Sequence, residues 1–403
     1  PAQDARAKAF SYLILGQALG NLALAYDSAA IVTPATPSDV VPGLSGATQV
    51  NTAALQMLDS AIAIANSAAA TNGANGFPLP TTWISGVALT RDNFVRLARS
   101  YKARLRAGVA RTPAARAAVD WAAVIADATN GITADFTISL GGTTGWTAAY
   151  DFNQMYVTGG WHAVPYFYYG MADVSGSYDA WLATARDSRS DFTVVTPDTR
   201  WPRGTTRAAQ QATAPTLSLP TGVYIRNRPT GEDVPLVGPG DSQYDFRRYG
   251  ASWLNAVTGQ YTEMSKTEMD MLAAEGYIRT NNLPAAIALV NVTRARNGLD
   301  AIGSVASATA AYSTNLATCV PRVPVAPNFT STACGGLLEA MKYEKRIETA
   351  YTGYFIWFSD NRGWGDLVEG TPVEWPVPYQ EMQSRQKAYY NGTNRAPRGT
   401  YGF

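Results

Sequence analysis

The stretch Ser265-Lys-Thr-Glu268-Met-Asp-Met-Leu-Ala-Ala-Glu275-Gly-Tyr-Ile-Arg279-Thr-Asn281-Asn282-Leu283-Pro284, carried on to Asn291-Val-Thr-Arg294-Ala-Arg296-Asn-Gly298, decides the fold class. Ser265 is a side-chain cap for a helix over 266–280, because its hydroxyl can take one of the free first-turn N–H groups. Asn281-Asn282-Leu283 then turns the chain. Pro284 starts a second helix, where its fixed φ and missing N–H cost nothing, and Asn297-Gly298 ends it. The unit is helix, short turn, helix.

The same grammar recurs on both sides. Downstream, a helix is expected over 335–352. Upstream, the pattern predicts helices over 4–27, 48–70, 90–107 and 112–129. Leu55, Leu58, Ile62 and Ala65 recur at helical spacing in the second. Thr90 with Asn93 opens the third, and Thr112, Pro113 and Gly131 bracket the fourth. Helix pairs repeating at about 34 residues are the tetratricopeptide arrangement. The uncharged run Ala9–Tyr26 is close to membrane-spanning length, but it holds Gln17, Asn21, Gly16 and Gly20 and reads as a buried helix that lets a neighbour approach closely.

Between the two helical blocks the period disappears and Gly, Pro, Thr and aromatic residues dominate. Five of the ten Trp fall there: Trp146, Trp161, Trp181, Trp201 and Trp253. Short strands are expected at Phe192–Val195 and Val223–Ile225. The expected fold is mainly α: a tetratricopeptide-like scaffold with a long irregular, aromatic-rich insert containing short strands. The expected division is 1–130 for the N-terminal helical pairs, 131–262 for the insert and 263–403 for the C-terminal helices, all within one unit.

Composition removes several functions. With 32 Lys+Arg against 31 Asp+Glu the net charge is +1, and the lysines are scattered, so no nucleic-acid partner is expected. One histidine, His162, and two cysteines leave too few groups for a zinc site or a histidine-driven nucleophile. Asp173 to Asp179 spaces oxygens as a calcium loop might, but Thr184 stands where that loop needs a bidentate Glu. No metal and no cofactor is expected. Cys319 and Cys334 enclose a Pro- and Thr-rich loop without redox spacing, which reads as one disulfide formed in an oxidising compartment.

Three motifs in order resemble a known family. Glu268 to Arg279 with Asn291 to Leu299 is similar to "E-x-x-L-x-x-A-E-x-x-x-R … N-x-V-R-x-R-A-G-L" of the SusD/RagB family of outer-membrane nutrient-binding lipoproteins. Leu337-Leu-Glu-Ala-Met-Lys-Tyr-Glu344-Lys-Arg346-Ile-Glu348, with Gly353, Trp357-Phe358, Asp360, Arg362 and Trp364-Gly365, resembles its run "E-R-R-x-E-L-x-x-E-G-x-R-W-x-D-L-x-R-W-G". Trp375-Pro-Val-Pro378-Tyr-Gln-Glu381 matches the closing "P-I-P-x-x-E". Thr349 and Thr352 depart from the pattern, and Phe355 stands near the expected Arg. The resemblance implies a non-catalytic protein at the outer-membrane surface, or secreted, that captures a glycan or other oligomeric nutrient for a TonB-dependent transporter. An alternative on the same scaffold is a secreted structural protein that self-assembles into filaments or arrays.

Candidate residues follow from chemistry. Sugars have apolar C–H faces and hydroxyl edges, so a glycan site needs aromatic plates beside amides. Trp146, Tyr150, Asn153, Tyr156, Trp161 and Tyr166 supply both in one segment. The carboxylates Glu344 and Glu348 could be an acid–base pair. As helical residues near Arg346 they are expected instead to form structural ion pairs, as are Glu275 with Arg279 four residues on, and Arg362 with Asp360 or Glu348.

Overall fold

The computed structural model describes residues 4–71, 76–141, 163–213, 219–229, 242–249, 259–353 and 355–403. Helix α1 (Ala5–Ala25) leads through the antiparallel strands β1 (Ser28–Ala30) and β2 (Leu44–Gly46) into α2 (Ala47–Ala65) and the short α3 (Ala68–Thr71). Next come α4 (Arg91–Gly108), α5 (Pro113–Ala117), α6 (Trp121–Thr129) and β3 (Phe136–Leu140). The insert holds α7 (Tyr166–Tyr169), α8 (Ser177–Ala183), α9 (Arg207–Thr213), β4 (Ile225–Asn227) and β5 (Tyr244–Phe246). Then follow β6 (Gly259–Met264), α10 (Lys266–Arg279), α11 (Leu283–Arg296), β7 (Arg322–Pro324) and β8 (Thr332–Cys334). The chain closes with α12 (Leu337–Glu348), α13 (Ile356–Trp364) and α14 (Tyr379–Ser384). The fold is mainly helical with short two-stranded pairings.

The expected caps are in place. Ser265 Oγ accepts from Glu268 N at 3.1 Å, Thr90 Oγ1 from Asn93 N at 3.3 Å, and Thr112 Oγ1 from Ala115 N at 3.1 Å. The glycines of α1 do what their spacing implies: a Cβ at Gly16 would stand 2.7 Å from Leu58 Cγ, and one at Gly20 would collide with Leu105. Close approach therefore seats α1 on α2 and α4. No helix among the described residues is long and apolar enough to cross a membrane.

Two expectations need correction. The single helix over 112–129 is broken into α5 and α6, because Asp120 accepts from Ala123 N at 3.0 Å and caps a new start. Phe192–Val195 is not a strand. Its amides are taken by side chains: Phe192 N donates to Tyr166 Oη at 3.0 Å, Val194 N to Tyr244 Oη at 2.9 Å and Val195 N to Asp173 Oδ1 at 2.9 Å. The other expected strand is shifted to β4, which pairs antiparallel with β5.

Burial separates three cores of different composition. The first is Ala- and Leu-rich and joins α1, α2, α4 and α6 to β3, β6 and α10. The second is aromatic and built largely from the insert, with Tyr343 and Ile347 of α12 and Tyr401 and Phe403 of the C-terminal tail. The third lies among α10, α11 and α12. Strands β3 and β6 pair from Phe136↔Met264 to Leu140↔Gly259, which brings the two ends of the insert together. The disulfide Cys319–Cys334 ties the β7–β8 hairpin, with a Cα separation of 5.7 Å.

Candidate functional site: an aromatic cleft at the end of the first helix

Past α1 the chain runs extended, and Tyr26 bridges in parallel to Trp375. Trp375 N donates to Ala25 O at 3.0 Å, and Asp27 N donates to Trp375 O at 2.9 Å. These bonds fix the Trp375 backbone. Its ring stacks on Phe358 at 5.4 Å and meets Phe355 edge-on at 5.1 Å, yet 41% of the residue stays exposed. Pro376 and Pro378 hold the following segment extended, and α14 places Tyr379 next to Tyr389, with ring centroids 6.3 Å apart. Tyr390 Oη donates to Asp27 at 2.8 Å and accepts from Val377 N at 3.1 Å, which pins the tail across the cleft.

The result is a cleft of about 440 Å3 floored by buried Val377 and Met382 and walled by Trp375, Tyr379, Tyr389 and Tyr390, with Asn391 at the rim. Tyr379 and Tyr389 are 61% and 62% exposed. Their hydroxyls make no hydrogen bond among the described residues. Flat apolar faces with free polar edges suit a ligand that has both.

The whole chain can be compared with solved structures. A SusD homolog from Bacteroides thetaiotaomicron aligns with a TM-score of 0.51 at 12% identity, over 98% of this chain and 80% of that one. The chain has a SusD-like fold. A SusD superfamily protein from Bacteroides vulgatus aligns at 0.43 with 14% identity, over 89% of this chain and 67% of that one. A SusD-like carbohydrate binding protein from Bacteroides fragilis aligns at 0.44 with 13% identity, over 99% and 75%. No family model and no curated protein matches the sequence.

On this SusD-like frame the motif carboxylates are rivets between helices. Arg116 of α5 holds Glu275 of α10 through two bonds of 3.0 and 2.6 Å and reaches Asp360 of α13 at 3.0 Å. Trp364 Nε1 donates to the same Glu275 at 3.0 Å, and Arg279 pairs with it at 3.3 Å. Burial alone would raise the Glu275 carboxyl, but Arg116, Lys345 and Arg279 overcome it and hold the group at about 2. Glu344 and Glu348 both bind Arg200, at 2.9 and 3.1 Å, and Glu348 also takes Arg248 and Arg296. Both are fully buried, which removes them from any substrate. Burial pushes Glu344 up to about 6 against the pull of Arg200, whereas Glu348, with three guanidiniums, is held low.

Arg346 pairs with Asp366 and donates to Asn361 Oδ1 at 3.0 Å, without touching either neighbouring glutamate of α12. Arg362 is a correction. It pairs with no carboxylate among the described residues and donates instead to the carbonyls of Leu24, Gly108 and Val373 at 3.0, 2.9 and 2.8 Å. Two of these are free carbonyls at the ends of α1 and α4, where a cation is favoured. Burial and nearby Arg111 push its pKa down to about 9.

Of the expected ligand residues, Trp146, Tyr150, Asn153, Tyr156 and Trp161 lie outside the described residues, as does His162. Tyr166 is a second correction. It is 1% exposed, stacks on Phe192 at 4.2 Å and donates its hydroxyl to Phe192 O at 2.7 Å, so it is a core ring with no face for a ligand. Asp173 of the calcium-like loop accepts from Ser175 Oγ, Gly176 N, Tyr178 N and Val195 N, which occupies its lone pairs with protein donors. The cleft residues Trp375, Tyr379, Tyr389 and Tyr390 are not among the expected ligand residues. In the sequence they are rings flanking Pro376, Pro378 and the Asn391-Gly392 pair, partly inside the motif Trp375–Glu381.

Proposed function

We propose that the chain is a non-catalytic SusD-like extracellular binding protein that captures a glycan or another oligomeric nutrient and presents it to a TonB-dependent transporter at the outer membrane. The observation that carries this reading is the set of exposed rings Trp375, Tyr379 and Tyr389, whose faces and polar edges are left open on a rigid, ion-paired scaffold. A sugar ring laid on such plates buries its C–H face while its hydroxyls reach amides such as Asn391. By residue type alone, Trp146, Tyr150, Asn153, Tyr156 and Trp161 are a second set of candidates with the same chemistry.

The test is retention on a glycan array of the wild type, a Tyr379→Ala/Tyr389→Ala variant and a Trp146→Ala/Trp161→Ala variant, each with its melting temperature. Loss of retention in the first variant with unchanged melting supports the cleft. Loss confined to the second moves the site to the insert, and retention unchanged in both overturns the sugar reading. Co-purification with a TonB-dependent transporter tests the partner.

A further inference from the structure

The aromatic cleft shares its wall with a second, larger cleft. Tyr26 and Trp375 line the first, and their chain neighbours Asp27 and Glu374 line the second, a cavity of about 750 Å3 between the start of α2 and the α4–α5 corner. Its chemistry is different. Among the described residues none of its walls is aromatic, and its arginines are already paired, Arg111 with Glu374 and Arg106 with Asp127 at 2.9 Å, while Asp27 accepts from Tyr390 and Asp120 caps α6. Such a lining leaves neither arginine free for an anionic ligand.

It does offer unpaired hydrogen-bonding groups. Asn51 lines this cleft, is only 5% exposed, and its Oδ1 has no hydrogen-bond partner. A buried acceptor left unpaired is costly to the folded state. Helix α2 also starts after Gly46, which has no side chain to cap the first turn; Gly46 N donates to Gln49 Oε1 and Ala47 N to Asp27 O, so the amides without a side-chain cap are those of Thr48 and Gln49. A buried acceptor next to uncapped donors matches a hydroxyl, which both donates and accepts.

Building on the glycan reading above, we propose that the ligand is an extended, uncharged oligosaccharide that crosses the Tyr26–Trp375 bridge, stacking sugar rings in the aromatic cleft and placing further hydroxyls against Asn51 and the start of α2. The aromatic cleft supplies stacking common to all sugars. The Asn51 cleft reads chain length.

The experiment is calorimetric titration with neutral gluco-, xylo- and manno-hexaoses and their disaccharides. The wild type should bind one hexaose at least about tenfold tighter than its disaccharide. Asn51→Leu should bring the hexaose down to the disaccharide's affinity while leaving the disaccharide unchanged. Ala115→Trp, a bulky group from an exposed position on the cleft wall, should do the same without touching the core, so a folding defect in Asn51→Leu leaves the question decidable. Equal binding of hexaose and disaccharide, or a length advantage that survives both variants, overturns the two-cleft proposal while the glycan reading stands. Binding of no saccharide in the panel overturns both.

Discussion

The second core and the cleft at the end of α1 are built from the same residue types and use them in opposite ways. In the core four of the tyrosines have their hydroxyls answered by the protein: Tyr166 donates to Phe192 O at 2.7 Å, Tyr178 to Phe167 O at 2.9 Å, Tyr168 to Asp366 O at 2.6 Å and Tyr244 to Gln210 Oε1 at 2.6 Å. In the cleft, Tyr379 and Tyr389 answer nothing among the described residues. Burial of a tyrosine favours a partner for its hydroxyl, because an orphaned one in a low-dielectric site is costly. Burial taken together with hydroxyl pairing therefore sets Tyr166, Tyr168, Tyr178 and Tyr244 apart from Tyr379 and Tyr389.

The comparison can be broken at its strongest point first. Trp201 is 1% exposed and meets Tyr244 edge-on at 5.1 Å. Trp201→Ala should cost about 3–5 kcal/mol of stability by denaturant unfolding, the range for truncating a large buried ring. A loss below about 1 kcal/mol would mean that the second core is not close-packed.

Alkali gives the next largest effect. Burial is the first cause of raised pKa values at Tyr166, Tyr168, Tyr178 and Tyr244, each above the ordinary value of 10.0. A group whose folded pKa is raised contributes stability fully present below the unfolded pKa and lost as pH rises toward the folded one. Stability should thus fall from pH 10 upward, by about 1.4 kcal/mol per pH unit for each such tyrosine. Ultraviolet titration should show their phenolate absorbance only as the chain unfolds; early, reversible ionisation of all tyrosines in the folded state would contradict their burial.

A smaller effect probes one hydroxyl. Tyr166→Phe keeps the ring stacked on Phe192 but deletes a group that both donates to Phe192 O and accepts from Phe192 N. The expected loss is about 1–2 kcal/mol, since the Phe192 backbone is left with unpaired polar groups. No change in unfolding would show that water restores both bonds.

The frame was legible in the sequence because its signals are local. Ser265, Thr90 and Thr112 mark helix starts through their own hydroxyls, and Glu275 and Arg279 lie four apart on one helix. What the sequence hid was non-local. Arg116, the main partner of Glu275, is 159 residues away, and the choice of Arg362 for three helix-end carbonyls depends on where α1 and α4 stop. The burial of Tyr166 was hidden for the same reason. Tyr166 and Tyr379 have similar local surroundings in sequence, and only the packing of Phe192 and Trp181 over one of them makes it core.

The smallest expected effect is the most discriminating. Tyr379 stands on α14, more than half exposed, with an edge contact to Tyr389 and no hydrogen bond from its hydroxyl among the described residues. Tyr379→Ala should shift unfolding by no more than about 0.5 kcal/mol, as for surface positions outside caps, cores and ion pairs. Removal of a ring of this size without cost to the fold would mean that its apolar face is held open for something other than the fold. A loss of about 2 kcal/mol or more would make Tyr379 a structural ring like Tyr166, and the division between buried and presented aromatics would then run inside the cleft, leaving Tyr389 and Trp375 as its open faces.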